Sequence, residues 1–424
     1  MKTLLLPLSS LLSGTGLLVV GVGLLFSVLG LRAGLADFSS VVTGLVMSAY
    51  FTGYILGTFI CPLIIRRVGH VRAFAAMASV ASTMPILHGL WVDPWFWGIL
   101  RLVTGICLVG LYIVIESWLN TLASSAQRGK VFASYLTVTF VALALGQWLI
   151  LVGDKLGFVP FVITSILFSF ALLPITLTPV REPALVNPPR LGLRNLYRIS
   201  PLGMGGAVGT GLLNGAFYGM GAVYAQGVGF SDVGVATFMA ATILGGAIFQ
   251  WPVGHYSDRH DRRYVMLWVC IGSAVLAFLG FLLSGVSEVF LIGVGVFYGG
   301  LVFTLYGLSV AHVNDMIDAS QLLEVTGGLL LLHGIGSALG PTLAGMLMDL
   351  LGAASLMLYF GVVLGLLALF TVIRIKAAPA VPESEKSDFV AMGTAGASSS
   401  AVLQMDPRAN VDDIDAPWPE SEIH

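Results

Sequence analysis

Twelve times along its 424 residues this chain presents an apolar stretch of about 18 residues or more, the length that crosses a hydrocarbon core about 30 Å thick. A peptide group in hydrocarbon finds no water to bond, so each stretch must satisfy its own amides and carbonyls as an α-helix. The spans are predicted near 11–31, 41–65, 74–92, 95–118, 131–152, 158–178, 202–226, 235–255, 264–284, 288–311, 322–347 and 354–373. Composition agrees: 57% of residues are hydrophobic and only 10% are charged, against about 25% charged in ordinary soluble domains. The expected fold class is an all-α polytopic membrane protein with twelve transmembrane helices.

The first stretch, MKTLLLPLSSLLSGTGLLVVGVGLLF, begins like a signal peptide, with Lys2 ahead of an apolar run. Its hydrophobic part outlasts the roughly 7–15 residues of a signal sequence, and no small-residue cleavage site follows at a suitable distance, so it is assigned as the first span. Cys61, Cys107 and Cys270 are odd in number and sit within or at the edge of spans, which argues against a disulfide framework. The net charge of -2 says little, whereas the placement of charge says more. Of the 20 Lys and Arg residues, 17 fall on one side of this topology; Arg32 and Lys155 fall on the other, and Arg101 lies inside a span. Basic loops stay in the cytoplasm, which predicts cytoplasmic termini, as an even number of spans requires.

Spans six and seven are joined by the longest polar connection in the body of the chain, which divides it into an N-terminal half (1–180), a central cytoplasmic loop (181–200) and a C-terminal half (201–375). If the halves are repeats, matched residues recur at a fixed spacing. Leu111-Tyr112 and Asn120 recur as Leu305-Tyr306 and Asn314, 194 residues on, as do Gly105 with Gly299 and Gly146 with Gly340. Earlier in each half the spacing is 192, which pairs Gly53 with Gly245 and Arg67 with Arg259. The remaining segment, 376–424, is rich in Ala, Ser, Pro and acids, and is expected to be a disordered acidic cytoplasmic tail.

Between spans eight and nine stands GHYSDRHDRR, with five full charges in ten residues. Gly254, Asp258, Arg259, Arg262 and Arg263 fill the pattern G-x-x-x-D-R-x-x-R-R. A turn this short holds its charges against the ends of neighbouring helices, where carboxylates cap N-termini and arginines pair with acids or with C-terminal carbonyls. Such a cluster holds while its side of the membrane is closed and breaks on opening, which makes it a candidate gating latch. Here the sequence resembles the major facilitator superfamily, whose loop between spans two and three carries G-x-L-A-D-R-x-G-R-R, often with a second copy between spans eight and nine. SAYFTGYILGT, ESWLN and WPVGHYSDR place the resemblance nearest the YcaD-like bacterial branch. The first-half copy, PLIIRRVGHVR, departs from the pattern: Pro62 replaces the glycine, Arg66 takes the acid's place, and only Arg67 and Gly69 remain. In the second copy Asp261 replaces the inner glycine.

The first latch must then find its acid elsewhere, and Glu116, near the cytoplasmic end of span four, is the candidate. A carboxylate there is costly unless paired or solvated; three roles compete for it, as partner of Arg66 or Arg67, as proton site, or as a snorkelling side chain. Asp315, at the corresponding end of span ten, is placed to serve Arg259 or Arg262. Arg101 and Gly105 form RLVTG, which resembles the family's span-four R-x-x-Q-G pattern, in which the arginine is linked to proton coupling. Its alternatives are an ion pair or carbonyl anchor. His333, near the middle of span eleven, can exchange a proton near neutral pH or serve as a hydrogen-bonded packing residue. Asn120, Asn314 and His312 rank lower.

Span seven, GMGGAVGTGLLNGAFYGMG, is no nucleotide loop, since no strand precedes it; Gly211, Gly215 and Gly219 instead form a small-residue row that permits close helix approach. GSALGP in span eleven is similar to a pattern that antiporters of the family carry in span five, where this chain has Gln147 in the proline's place. By the resemblance, Tyr50, Tyr112, Gln147, Asn214, Tyr218, Tyr298, Tyr306 and His333 line the central cavity, which favours a neutral or amphipathic solute; Arg101 leaves a singly charged anion open. The expected function is secondary transport of a small molecule by alternating access, coupled to protons, in the bacterial inner membrane. The rival is a non-transporting receptor or accessory protein that keeps the fold. No H-E-x-x-H, G-x-S-x-G or metal-ligand cluster supports an enzyme. No cofactor, metal or nucleic acid is expected, and the lipid bilayer surrounds a monomer.

Overall fold

A computed structural model of the chain describes residues 2–124, 127–153, 157–177, 183, 193–318, 321–377, 379, 381–382, 386–393, 399–406 and 408. The first half comprises α1 (Lys2–Leu35), α2 (Ser40–Val68), α3 (His70–Leu90), α4 (Pro94–Leu122), α5 (Arg128–Trp148) and α6 (Val159–Thr176). A short helix, α7 (Leu193–Ile199), precedes the second half: α8 (Pro201–Gly227), α9 (Asp232–Asp258), α10 (Arg262–Leu282), α11 (Glu288–Val302), α12 (Thr304–Asn314), α13 (Leu322–Leu351) and α14 (Ser355–Ala377). Span five runs on through a 3-10 turn at Leu149–Leu151, and span ten is interrupted at Phe303. Much of the loop expected at 181–200 lies outside the described residues, as do Lys155, Arg181 and Arg190.

Among the described residues, eleven segments are long and apolar enough to cross a membrane. The helix expected as span seven, α8, has the length, 27 residues, but its glycines contribute almost nothing to hydropathy. They contribute close contact instead. A Cβ on Gly211 would fall 2.1 Å from the carbonyl oxygen of His333, and one on Gly215 would fall 2.2 Å from that of Ser337, both on α13. No real Cβ is tolerated at such distances, so α8 and α13 meet backbone to backbone, as the small-residue row predicts.

The matched glycines do the same work in each half. Gly53 of α2 receives the carbonyl of Leu102 of α4, and Gly245 of α9 receives that of Val296 of α11. Gly105 sits under the carbonyl of Tyr50, and Gly299 under that of Thr242. Gly146 meets Val20, and Gly340 meets Leu212. Every partner obeys the spacings of its segment: Tyr50 to Thr242 and Val20 to Leu212 are 192 residues apart, and Leu102 to Val296 is 194. The two six-helix halves are thus built on one set of crossings.

The halves meet differently at the two ends of the bundle. We call the end where α1 begins and α14 finishes the terminal face, and its opposite the far face. Toward the far face, α2 and α13 touch directly. A Cβ on Gly44 would lie 2.4 Å from the Pro341 carbonyl, and one on Gly345 would lie 2.3 Å from that of Ser40. One turn further, Asp349 accepts hydrogen bonds from the backbone N–H groups of Ser40 (2.6 Å) and Val41 (3.0 Å), so a carboxylate of one half caps the first turn of a helix of the other.

At the terminal face the expectation of a disordered tail does not hold for residues 386–393 and 399–406. These segments lie against the helix ends, with Met392, Val402, Leu403 and Met405 buried. Mean composition conceals two apolar clusters, Phe389-Val390-Ala391-Met392 and Ala401-Val402-Leu403, that gain by leaving water. Residues 409–424 lie outside the described residues.

The crossings give a direct test. Gly53→Ala and Gly245→Ala each force a methyl group onto a carbonyl and should lower stability by about 1–3 kcal/mol, read as a fall in thermal unfolding temperature in detergent. Gly98→Ala, on the same helix as Gly105 but with nothing within 4 Å of its Cβ position, should be neutral or slightly stabilising.

Candidate functional site

Arg101 stands on the third turn of α4, fully inside the protein. Its guanidinium carbon lies 4.5 Å from the ring centre of Phe26 on α1 and 4.3 Å from that of Tyr50 on α2. Two cation–π contacts of a desolvated guanidinium are worth about 2 kcal/mol or more each, while burying the charge costs several kcal/mol. The balance is close, and Arg101 Nε and Nη2 have no hydrogen-bond partner among the described residues. Both are donors without an acceptor, in a site walled by aromatic rings.

Those rings continue across the boundary between the halves. Phe26 lies 5.9 Å from Tyr218 of α8, which stacks at 5.9 Å on Phe303, the residue that separates α11 from α12. On the first-half side, Tyr50 contacts Tyr54, and Tyr54 contacts Tyr112. Deeper in the second half, Asn214 Nδ2 lies 3.2 Å from His333 Nε2, and the His333 ring is 4.5 Å from that of Tyr306. This cluster draws on α8, α12 and α13. The hydroxyls of Tyr112 and Tyr306 and His333 Nδ1 have no hydrogen-bond partner among the described residues.

Two expected lining residues are used otherwise. Gln147 ties α5 to α1: it bonds the Ser27 hydroxyl and donates to the Gly23 carbonyl at 3.1 Å. Tyr298 stacks on Phe360 of α14 at 5.0 Å. Both face neighbouring helices, a distinction that a one-dimensional pattern of polar residues does not carry.

The latch residues divide between the halves. In the second half, Arg262 donates from Nε to Asp315 (2.7 Å) and from Nη1 to Asp258 (3.0 Å) and Ser257 (2.9 Å), with Arg262 and Asp315 both almost wholly buried. Arg259 points outward and is exposed. In the first half the expected pairing of Glu116 with Arg66 or Arg67 is not formed, since both arginines are exposed. Glu116, fully buried, accepts from Tyr135 Oη at 2.6 Å, from the Ser399 amide at 3.0 Å, and from the Ser399 hydroxyl. The tail thus supplies donors that the arginines were expected to provide.

The two turns have also diverged. Gly69 joins α2 to α3 at φ 85°, a left-handed conformation that favours glycine. Its counterpart 192 residues on, Asp261, instead caps α10 by accepting from the Arg263 amide at 3.0 Å. Gly254, the leading glycine of the motif, makes room for the ring of Phe389. Sequence reasoning also missed Asp349 and Ser399. A lone acid one turn before the Gly352 break was the signal for the first; nothing marked the second.

Two repeated six-helix halves, a buried aromatic site between them and charged turns gathered on one face define a secondary-transporter fold. The chain belongs to the major facilitator superfamily, whose family model matches residues 11–313 and 203–411. It is therefore a multi-pass membrane protein of a transporter family and not an enzyme. It is 31% identical over 357 residues to an uncharacterized MFS-type transporter of Enterobacter sp. strain 638, covering 82% of this chain and 91% of the relative. It is 28% identical over 353 residues to the uncharacterized MFS-type transporter YcaD of Escherichia coli, with the same coverage. Among solved structures, the nucleoside transporter NupG superposes with a TM-score of 0.72 at 15% identity over 87% of this chain and 99% of that one. A bacterial homologue of the human lysosomal transporter Spinster, inward-facing and unoccupied, gives 0.66 at 15% over 98% of each.

The Asp261 cap is testable by pH. Burial alone would raise its carboxyl, but Arg263, which donates from its amide and its guanidinium, holds it below the usual carboxylate range. A lowered folded value means that the stabilisation is complete above the unfolded-chain value and is lost as pH falls through the folded one. Asp261→Ala should therefore cost about 1 kcal/mol at neutral pH, as for other N-caps. The difference in melting temperature from wild type should shrink below pH about 4.

Proposed function

We propose that this protein carries a small amphipathic solute across the bacterial inner membrane by alternating access, with the terminal face in the cytoplasm. The observation that carries the reading is Arg101: a buried cation between two rings, with donors to spare, beside a row of aromatic side chains that runs from one half into the other. That chemistry suits a solute with an apolar or aromatic body and one acceptor group, a carboxylate or carbonyl, facing the guanidinium. Transport by rocking of the halves requires the α2–α13 seam to part at the far face and the charged turns to separate at the terminal face in alternation.

Protons are the proposed coupling ion. Of Arg101, Glu116 and His333, the geometry favours His333, because an imidazole held by Asn214 and Tyr306 couples three helices of one half through a single titratable ring. Glu116 is engaged by Tyr135 and Ser399, and Arg101 serves the solute. The basic loops of the terminal face support cytoplasmic termini.

The test is flux in proteoliposomes with a pH gradient and pooled solutes, aromatic carboxylates beside their neutral amides. Wild type should move one pool together with protons. Arg101→Ala should reduce that flux at least about tenfold, the loss expected for one charge-assisted hydrogen bond. His333→Ala should uncouple proton movement from solute exchange. Folded wild type that moves no pool would instead favour a non-transporting receptor.

A further inference from the structure

The vestibule at the terminal face is lined by groups that read peptide backbone. Asp315 accepts from the Ser387 amide and hydroxyl, both at 3.0 Å; Asp258 accepts from the Phe389 amide at 2.9 Å; Arg262 donates to the Ser387 carbonyl; Gln250 donates to the Met392 carbonyl at 3.2 Å. Across the gap, Glu116 of the first half takes the amide and hydroxyl of Ser399. The side chain of Phe389 fills a notch between two helices: a Cβ on Gly254 of α9 would fall 2.1 Å from its ring, and one on Gly307 of α12 would fall 2.8 Å from it. Beside this plug a cavity of about 570 Å³ lies between α5 and α9, with Phe389 and Ala391 in its wall.

We infer that this vestibule is a peptide-binding site, and that its ligand is the chain's own residues 386–393, which form no helix, and 399–406, which turn through a 3-10 helix at Ser400–Met405. The wall makes little sense without an occupant. With the tail in place Glu116 is wholly buried, and without it the hydrogen bonds described for Glu116 would fall to the one from Tyr135, whereas Asp315 would keep its pair with Arg262. A buried carboxylate short of donors is costly, so the tail gains free energy by completing the shell of Glu116, while Asp315 and Asp258, already paired with Arg262, add charge-assisted bonds to its backbone. Residue 386 follows the end of α14 by nine residues, and a short tether holds such a segment at about millimolar local concentration. Modest intrinsic affinity then keeps the site filled. Resting on the transport reading, the consequence is that the tail blocks the solute's path at this end, because it bridges the helices that must be apart for release.

Paired cysteines test the site without any solute. In the full-length protein with a protease site inserted between Lys376 and Lys386, Phe389→Cys with Gly254→Cys, and separately Ser399→Cys with Glu116→Cys, should form disulfides on mild oxidation. The cleaved tail should then stay attached until reductant is added. Single variants should not cross-link, and the native Cys61, Cys107 and Cys270 are buried and out of competition. A bulky maleimide should label Ser399→Cys at least about tenfold more slowly than Arg67→Cys, an exposed position on the same face, if the segment is held in place. Absence of cross-links in both pairs, with equal labelling at the two positions, would overturn the inference. This readout needs no flux, so its failure is distinct from failure of the transport reading. Where flux is found, the oxidised Phe389→Cys/Gly254→Cys pair should stop it and reductant should restore it; flux undiminished by the cross-link would refute occlusion.

Discussion

A backbone carbonyl seated directly over a glycine Cα is the contact on which this molecule is built. Two membrane helices gain nothing from hiding apolar side chains from each other, since lipid is as apolar as leucine; they gain from dispersion at close range. Gly53, Gly105 and Gly146 in the first half, and Gly245, Gly299 and Gly340 in the second, remove the one atom that would keep the axes apart. Everything functional hangs on those crossings. The position of Arg101 one turn from Gly105, for instance, lets its guanidinium reach the rings of α1 and α2.

The same contact, used once more between Gly44 and Pro341 and between Gly345 and Ser40, joins the halves at the far face. There the link is helix to helix, and Asp349 adds charge-assisted bonds to a helix start. At the terminal face the halves are linked through a third party. Arg262, Asp315 and Asp258 close one side of the charged turn, and the tail carries the connection to Glu116. A direct seam has to be broken to open; a mediated one opens when the mediator leaves.

Much of this was legible in the chain itself. Helices follow from hydropathy, and the repeat follows from residues at spacings of 192 and 194, because a duplicated crossing needs its glycine at the same place twice. Opposite charges at adjoining helix ends place Asp315 with Arg259 or Arg262, and the fold selects Arg262. What was not legible depends on packing direction or on segments distant in sequence. Gln147 and Tyr298 look like cavity residues because polarity along a helix does not say which neighbour a side chain faces. Glu116 looked like a partner for Arg66 because the competing donor, Ser399, lies 283 residues away. Composition predicts a disordered tail because averaging over an acidic, alanine-rich stretch erases two apolar clusters of three or four residues.

The tail's position also sets an order of assembly. Residues 386–393 and 399–406 find their partners on α4, α5, α9, α12 and α13, helices from both halves. None of that surface exists as a single site until α13 has been made and docked. During synthesis the bundle therefore passes through a stage in which Glu116 of the first half and Asp315 of the second face an unfilled gap, and the segments that dry it emerge only after α14. A translocon or chaperone that releases the bundle before then would release it with its buried acids still wet.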